Sequence, residues 1–172
     1  MKEEYYKAYD ERYKQVYQQN MLWSSLEPTK EVIKFLKKYN VKKEDDILDL
    51  GCGEGRDAIY LLEKNYQVLA LDYSIHAINK CNELSKYKYP NKFKQFDLIK
   101  DKLNQKFKFI YSIAVLHMFV TPEHRNSYLN FIKEHLTRDG VALICVMGNG
   151  IDEYSTDITK SFDKVERTVL NN

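Results

Sequence analysis

Short apolar segments alternate with amphipathic segments along most of this chain. The amphipathic segments carry apolar residues at helical spacing, whereas the apolar segments have the length and composition of buried strands. The five predicted strands are residues 45–50, 67–72, 92–96, 108–116 and 141–147. Near-continuous apolar strands that alternate with amphipathic helices are typical of a parallel sheet with helices on both faces. The sequence therefore predicts an α/β fold, with a Rossmann-like, doubly wound parallel sheet.

Local signals predict where two of the helices begin and end. Ser74 is placed to cap one helix, and Thr121 followed by Pro122 marks the start of another. We expect the second helix to end at Gly140, because glycine commonly follows the last helical residue. The apolar residues expected on one face of that helix are Tyr128, Leu129, Ile132 and Leu136.

The length of 172 residues suits a single domain, residues 1–172, with a sizeable core. The predicted core occupies residues 28–148. A tyrosine-rich segment, residues 1–27, precedes it. Residues 149–172 follow it, and we expect a closing helix there because apolar residues recur at helical spacing.

Charge and cysteine content narrow the class of protein. Lys plus Arg is 27 and Asp plus Glu is 25, and this balance does not favour nucleic acid or an anionic membrane as a partner. The three cysteines show neither zinc-ligand spacing nor a disulfide framework. The start lacks an apolar signal core, and the longest apolar stretch is too short to span a bilayer. We therefore expect a cytoplasmic protein with no metal and no membrane partner.

Three of the chain's six glycines follow the first predicted strand, in the run G-C-G-E-G over residues 51–55. In doubly wound sheets, ligands lie at the carboxyl ends of the strands, where this loop is expected. Glycines let the backbone approach a ligand closely, and the helix that follows offers free N–H groups. Asp72 ends the second predicted strand, and a carboxylate there can accept both hydrogen bonds of a ribose diol. The sequence therefore predicts a ligand with a ribose.

The spacing of the loop disfavours a nicotinamide dinucleotide. The dinucleotide fingerprint is G-x-G-x-x-G, whereas this chain reads G-x-G-x-G and has Arg56 where a small residue is required. Glu54 would also place negative charge beside a pyrophosphate. A nicotinamide dehydrogenase is therefore a less favoured alternative.

The same residues resemble the class I S-adenosylmethionine-dependent methyltransferases, over about residues 28–148. The segments that carry the resemblance are "LDLGCGEGR" (48–56), "ALD" (70–72), "QFDL" (95–98), "FKFIYSIAVLHMF" (107–119) and "LTRDGVALI" (136–144). Within that family they look closest to the small-molecule and tellurite-resistance-type methyltransferases. The resemblance implies the strand order 3-2-1-4-5, S-adenosylmethionine as the cofactor and S-adenosylhomocysteine as the product.

The resemblance also implies a set of cofactor contacts. Those expected to face the methionine part are Asp49, Gly51, Cys52, Gly53, Ile113 and Ala114. Those expected to face the adenosine are Asp72, Tyr73, Asp97 and Leu98. In this assignment Asp49 binds the ammonium, Asp72 holds the ribose and Asp97 accepts from the adenine amino group.

No catalytic residue follows firmly from the sequence, because methyl transfer needs an aligned nucleophile and needs a base only where the nucleophile carries a proton. His117 could orient or deprotonate an acceptor, or could simply pack. Residues 1–27 resemble a lid helix, in which Tyr9 belongs to a tyrosine repeat that could attract the sulfonium. Ordinary helix packing explains the same repeat. Trp23 could line the acceptor pocket.

The sequence does not identify the methyl acceptor or establish whether the chain catalyses transfer. The absence of a Pro-Pro-Tyr/Phe sequence after the fourth strand, and of any Pro-Cys pair, argues against methylation of DNA bases. A small molecule is the expected acceptor, with protein or RNA as alternatives. A cofactor-binding module without turnover and an aminopropyl-type transferase also remain. Residues 149–172 contain no convincing strand, so we expect the family's later strands to be absent and the fifth strand to form an exposed edge. Either the closing helix covers this edge, or a second chain pairs with it in a homodimer, or the sequence is a fragment.

Overall fold

The computed structural model describes residues 2–146. Five strands form one parallel sheet in the order β3-β2-β1-β4-β5. The strands are β1 Asp46–Leu50, β2 Gln67–Asp72, β3 Phe93–Gln95, β4 Phe107–Ile113 and β5 Leu136–Cys145. This arrangement confirms the predicted Rossmann-like sheet and its strand order.

Within residues 2–146 the α-helices are α1 Ala8–Gln18, α2 Lys30–Lys38, α3 Arg56–Glu63, α4 Ile75–Leu84 and α5 Pro122–His135. Two short 3-10 segments occur at Lys2–Lys7 and Leu116–Met118. The predicted caps are confirmed, since the hydroxyls of Ser74 and Thr121 accept hydrogen bonds from backbone N–H groups in the first turns of α4 and α5. These side chains satisfy donors that a helix end otherwise leaves unpaired.

The predicted end of α5 at Gly140 is wrong. The helix ends at His135, and Leu136 already belongs to β5, where it pairs with Phe107. One imidazole nitrogen of His135 lies 2.7 Å from the carbonyl oxygen of Phe131, and the other lies 2.8 Å from that of Leu103. The pairing of Leu136 with Phe107 in the sheet ends the helix before the glycine is reached. For the same reason Leu136 is not on the packed helix face.

The two faces of the sheet carry separate apolar clusters because neighbouring residues of a strand point to opposite faces. Ile47 packs with the apolar side chains of α2, α3 and α4 on one face. Leu48 packs with Tyr128, Phe131 and Ile132 of α5 on the other face. Both faces are therefore covered by helices.

The chain runs from β1 to β2 on one side and reaches β4 on the other side of β1. A crevice forms at such a reversal, at the carboxyl ends of the strands. The α1 helix packs against α4, where Tyr9 and Tyr13 form a third apolar cluster with Ala77. The segment before the sheet thereby lies over the crevice.

In the described part of the sheet, β5 is an edge strand with β4 as its neighbour. The predicted homodimer through this edge stays a prediction. None of the helices within residues 2–146 has the length and hydropathy needed to cross a membrane. The helix expected over 149–172 lies outside the described residues.

Candidate functional site

A cavity of about 250 Å³ lies at the carboxyl ends of β1, β2 and β4. We call its two sides the floor and the roof. The roof consists of Tyr6, Tyr9, Tyr13, Trp23 and Ser24. The floor consists of all the other lining residues, which lie at the strand ends and in the segments that directly follow them.

The glycine loop forms the centre of the floor. The backbone N–H groups of Gly51 and Cys52 both donate to the carbonyl oxygen of Leu71, at 2.8 and 2.9 Å, and bend the loop toward β2. Gly51 has a φ of +81°, and a Cβ at this position would lie 2.3 Å from a methyl carbon of Val115. This position requires glycine because it combines left-handed backbone with a close contact.

Asp72 is held by backbone groups at the end of β2. Its Oδ2 accepts from the N–H of Gly53 and its Oδ1 accepts from the N–H of Ser74, each at 2.8 Å. Burial raises the pKa of Asp72, and the two N–H donors oppose this rise by stabilising the charged form. The carboxylate therefore has a fixed orientation on the wall of the cavity.

Asp49, on β1, lies beside the glycine loop with 4% of its surface exposed. The hydroxyl of Tyr111 donates to its Oδ2 at 3.0 Å. Burial raises the pKa of Asp49 well above its ordinary value, and the nearby carboxylate of Asp57 acts in the same direction. The hydrogen bond from Tyr111 opposes this rise.

Arg56 and Asp57 begin α3 and share one partner, Thr29. Asp57 accepts from the backbone N–H and from the hydroxyl of Thr29, at 2.6 and 2.7 Å. Nη2 of Arg56 donates to the same hydroxyl at 2.7 Å. Of the described residues that line the cavity, Arg56 alone is cationic, and it lies among the carboxylates of Asp49, Glu54, Asp57 and Asp72.

Glu54 connects the floor to the roof. Its carboxylate accepts from the backbone N–H groups of Trp23 and Ser24, at 2.6 and 3.1 Å, and from the Ser24 hydroxyl at 3.2 Å. Only 3% of its surface is exposed. In the sequence, Glu54 was notable only as a charge unfavourable to a pyrophosphate, and this role was missed. No local pattern pairs residues 31 positions apart.

The roof is made of aromatic side chains. The Trp23 ring lies 5.9 Å from the ring of Tyr9 and 5.3 Å from that of Tyr13, measured between centroids. Two further contacts hold the roof in place. The hydroxyl of Ser74 donates to Asp10 at 2.6 Å, and the hydroxyl of Tyr6 donates to Asp97 at 3.1 Å.

The structure brings most of the candidate residues together. Those that line the cavity are Asp49, Gly51, Cys52, Gly53, Asp72, Tyr73, Leu98, Ile113, Ala114, Tyr9 and Trp23. Asp97 and His117 are not among the lining residues. Asp97 instead accepts from Tyr6, and His117 lies in the 3-10 segment Leu116–Met118. Contacts of these two residues with a cofactor or an acceptor stay predictions.

Cys52 lies between two glycines of the floor. A hydrogen bond with Cys81, together with burial, raises the pKa of the Cys52 thiol well above its ordinary value. The thiol is therefore protonated at neutral pH and is a poor nucleophile.

Among the described residues, no group of three or more His, Cys, Asp or Glu side chains is placed to hold a metal ion.

The fold and the position of the cavity define a Rossmann-like protein of the class I methyltransferase type. The structure is similar to that of the glycopeptide N-methyltransferase MtfA complexed with S-adenosyl-L-methionine, with a TM-score of 0.59 and 19% identity, over 69% of this chain and 54% of that chain. It is also similar to the crystal structure of TehB from Haemophilus influenzae, with a TM-score of 0.58 and 29% identity, over 67% of this chain and 40% of that chain. The first similarity concerns the fold alone.

Sequence comparison identifies the family. A family model described as tellurite resistance protein TehB matches residues 7–170, and the chain therefore belongs to the TehB family. A curated relative from Haemophilus influenzae (strain ATCC 51907 / DSM 11121 / KW20 / Rd), named probable S-adenosyl-L-methionine-dependent methyltransferase TehB, is 31% identical over 121 residues. The match covers 70% of this chain and 42% of the relative. The chain thus spans about two-fifths of the length of the curated relatives that it matches.

Proposed function

We propose that this chain binds S-adenosylmethionine and transfers its methyl group to a small-molecule acceptor, with S-adenosylhomocysteine as the second product. The observation that supports this proposal is that the glycine loop, Asp49 and Asp72 line one cavity. The family of the chain points to the same cofactor, because its curated relatives are named as S-adenosylmethionine-dependent methyltransferases.

The charged and polar groups of the floor complement those of S-adenosylmethionine. Each oxygen of Asp72 accepts one backbone N–H and retains a second acceptor position, which a ribose hydroxyl can fill. Asp49 is the carboxylate for the ammonium of the methionine part. Arg56 is the cation for its carboxylate, and its contact with Thr29 orients the guanidinium.

The aromatic roof suits the sulfonium. Tyr9, Tyr13 and Trp23 line the cavity, and aromatic faces attract cations. When bound, S-adenosylmethionine supplies an activated methyl group, which the lone pair of the acceptor takes in line while the electrons of the broken carbon–sulfur bond stay on sulfur. The chain's own contribution is to align the two partners and to exclude water.

The acceptor that fits this site is small. The roof covers part of the cavity, and its volume of about 250 Å³ favours a small acceptor over a macromolecular one. A thiolate, an amine or a reduced chalcogen needs alignment but no strong base, which agrees with a site where positioning is the main task. The nearly balanced charge of the chain, +2, likewise gives no support to a nucleic-acid acceptor.

Titration calorimetry with S-adenosylmethionine and with NADH tests the cofactor. We expect micromolar binding of S-adenosylmethionine and no binding of NADH. Trp23 is the single tryptophan of the chain and lies over the cavity, so its fluorescence reports cofactor binding at the roof. Release of S-adenosylhomocysteine in the presence of small thiols, amines or a reduced chalcogen then tests turnover.

The outcomes separate the alternatives. Binding of NADH in place of S-adenosylmethionine would support a dehydrogenase and contradict the proposal. Binding of S-adenosylmethionine without transfer to any small acceptor would support a binding module. Transfer to a protein or an RNA, with small acceptors inactive, would retain the enzyme and overturn the acceptor class.

A further inference from the structure

Asp49 and Tyr111 are direct neighbours in the sheet. They occupy paired positions of the parallel strands β1 and β4, so their side chains lie on the same face. The Tyr111 side chain is fully buried and does not line the cavity, whereas Asp49 does. The hydroxyl of Tyr111 reaches Oδ2 of Asp49 at 3.0 Å. Tyr111 therefore contacts the cavity wall from inside the core.

This contact leaves one oxygen of Asp49 available to the cavity. Among the described residues, Tyr111 is the one hydrogen-bond donor to the Asp49 side chain, and it uses Oδ2. A buried carboxylate that rotated freely would present its two oxygens in many directions. A donor at Oδ2 restricts this rotation and leaves Oδ1 as the acceptor on the cavity side.

Resting on the proposed function, we propose that Tyr111 is a positioning residue, which holds Oδ2 of Asp49 so that Oδ1 meets the ammonium of S-adenosylmethionine. A neutral phenol at this position serves the role better than a positively charged donor. It directs the carboxylate without neutralising its charge, and the charge is what attracts the ammonium.

The ionisation of Asp49 makes cofactor affinity depend on pH, and the contact with Tyr111 affects the pH at which affinity is lost. Asp49 faces Asp57 on α3 and Asp72 on β2, which raise its pKa together with burial, and it faces Arg56 and Tyr111, which lower it. The ammonium needs the ionised carboxylate, so affinity is present above the pKa of Asp49 and falls as the pH drops through it. Removal of the Tyr111 hydroxyl raises this pKa further, so the loss of affinity then begins at a higher pH.

The test compares Tyr111→Phe with Tyr128→Phe, which removes the hydroxyl of another fully buried tyrosine that does not line the cavity. Calorimetry measures the dissociation constants for S-adenosylmethionine and for 5′-methylthioadenosine, which lacks both the ammonium and the carboxylate. For Tyr111→Phe we expect about tenfold weaker binding of S-adenosylmethionine and unchanged binding of 5′-methylthioadenosine. The acid limb of the affinity profile, which is the fall of S-adenosylmethionine affinity at low pH, should move to higher pH. Tyr128→Phe should change neither.

Equal weakening of both ligands in Tyr111→Phe would show a merely structural role and overturn the inference. So would an unchanged acid limb. Asp49→Asn provides a second test, because Tyr111→Phe should cause no additional loss of S-adenosylmethionine affinity in that background. An additional loss of the original size would contradict the positioning role. A wild-type chain that binds neither ligand would instead refute the proposed function. Failure of the proposed function is therefore distinguishable from failure of the positioning role.

Discussion

The floor of the cavity is built largely from backbone hydrogen bonds between neighbouring strands and loops, whereas the roof is built from side chains that reach across the molecule. In the floor, the loop N–H groups bond to Leu71 and the carboxylate of Asp72 bonds to two further N–H groups. In the roof, aromatic packing is supplemented by the contacts of Glu54, Asp10 and Tyr6. The floor therefore shares the stability of the sheet, and the roof depends on a few separate contacts.

This difference indicates how a ligand enters. A typical hydrogen bond contributes about 0.5–1.5 kcal/mol, and one to a charged group about 1.5–3 kcal/mol. Breaking a few such contacts opens the roof at far lower cost than opening the sheet, so local opening should occur there first. We expect substitutions that disturb the floor to have larger effects on folding and affinity than substitutions that weaken the contacts of the roof.

The largest effect is expected for Gly51→Ala. The new methyl group would meet Val115, and alanine would occupy a left-handed backbone position. Strain and overpacking together should lower the free energy of unfolding by about 3 kcal/mol. Urea denaturation measures this loss. The double variant Gly51→Ala/Val115→Ala should recover the part that comes from the contact, and full stability in the single variant would contradict the role of the floor.

Asp72→Ala should weaken S-adenosylmethionine binding by about 100-fold, because the carboxylate is proposed to accept from the ribose and also orders the glycine loop. Calorimetric dissociation constants measure the effect. Asp46→Ala is the matched control, since Asp46 is exposed at the other end of a neighbouring strand. Equal losses in the two variants would indicate a general electrostatic effect and would contradict a ribose contact.

Glu54→Gln should loosen the roof and leave the floor intact. The amide oxygen can still accept hydrogen bonds, but it lacks the negative charge that strengthens the contacts to Trp23 and Ser24. We expect about tenfold faster hydrogen exchange at these two amides, with unchanged exchange in β1. Glu27→Gln, at an exposed site three residues after Ser24 in the chain, is the control. Unchanged exchange at both amides would show that aromatic packing alone holds the roof.

The smallest effect is expected for Tyr6→Phe. Burial raises the pKa of Tyr6 above its ordinary value, so the hydroxyl keeps its proton and donates to Asp97 at neutral pH. Removal of this donor should lower the free energy of unfolding by about 1 kcal/mol. Urea denaturation beside Tyr39→Phe, which alters an exposed tyrosine, measures the difference. An effect as large as that of Gly51→Ala would mean that roof and floor unfold as one unit.

Patterns in the chain were enough to predict the parallel sheet, the glycine loop and the position of Asp72, and the resemblance to the class I methyltransferases implied the strand order and the other contacts of the floor. Strand alternation and helical spacing are local patterns, and the glycine loop lies directly after the strand that positions it. Asp72 could be placed because the carboxyl ends of neighbouring parallel strands meet at one edge of a sheet. The sheet, the glycine loop and Asp72 needed only the spacing between nearby residues, whereas the strand order needed the family resemblance.

The roof, the support of Asp49 and the end of α5 depend on contacts that form only in the folded molecule. Glu54 and Trp23 lie 31 positions apart, Ser74 and Asp10 lie 64 apart, and Tyr6 and Asp97 lie 91 apart. Leu136 pairs with Phe107 at the start of β5, and this pairing overrides the glycine signal at Gly140. Each of these contacts joins residues that no periodic pattern relates, because their proximity arises only in the folded structure.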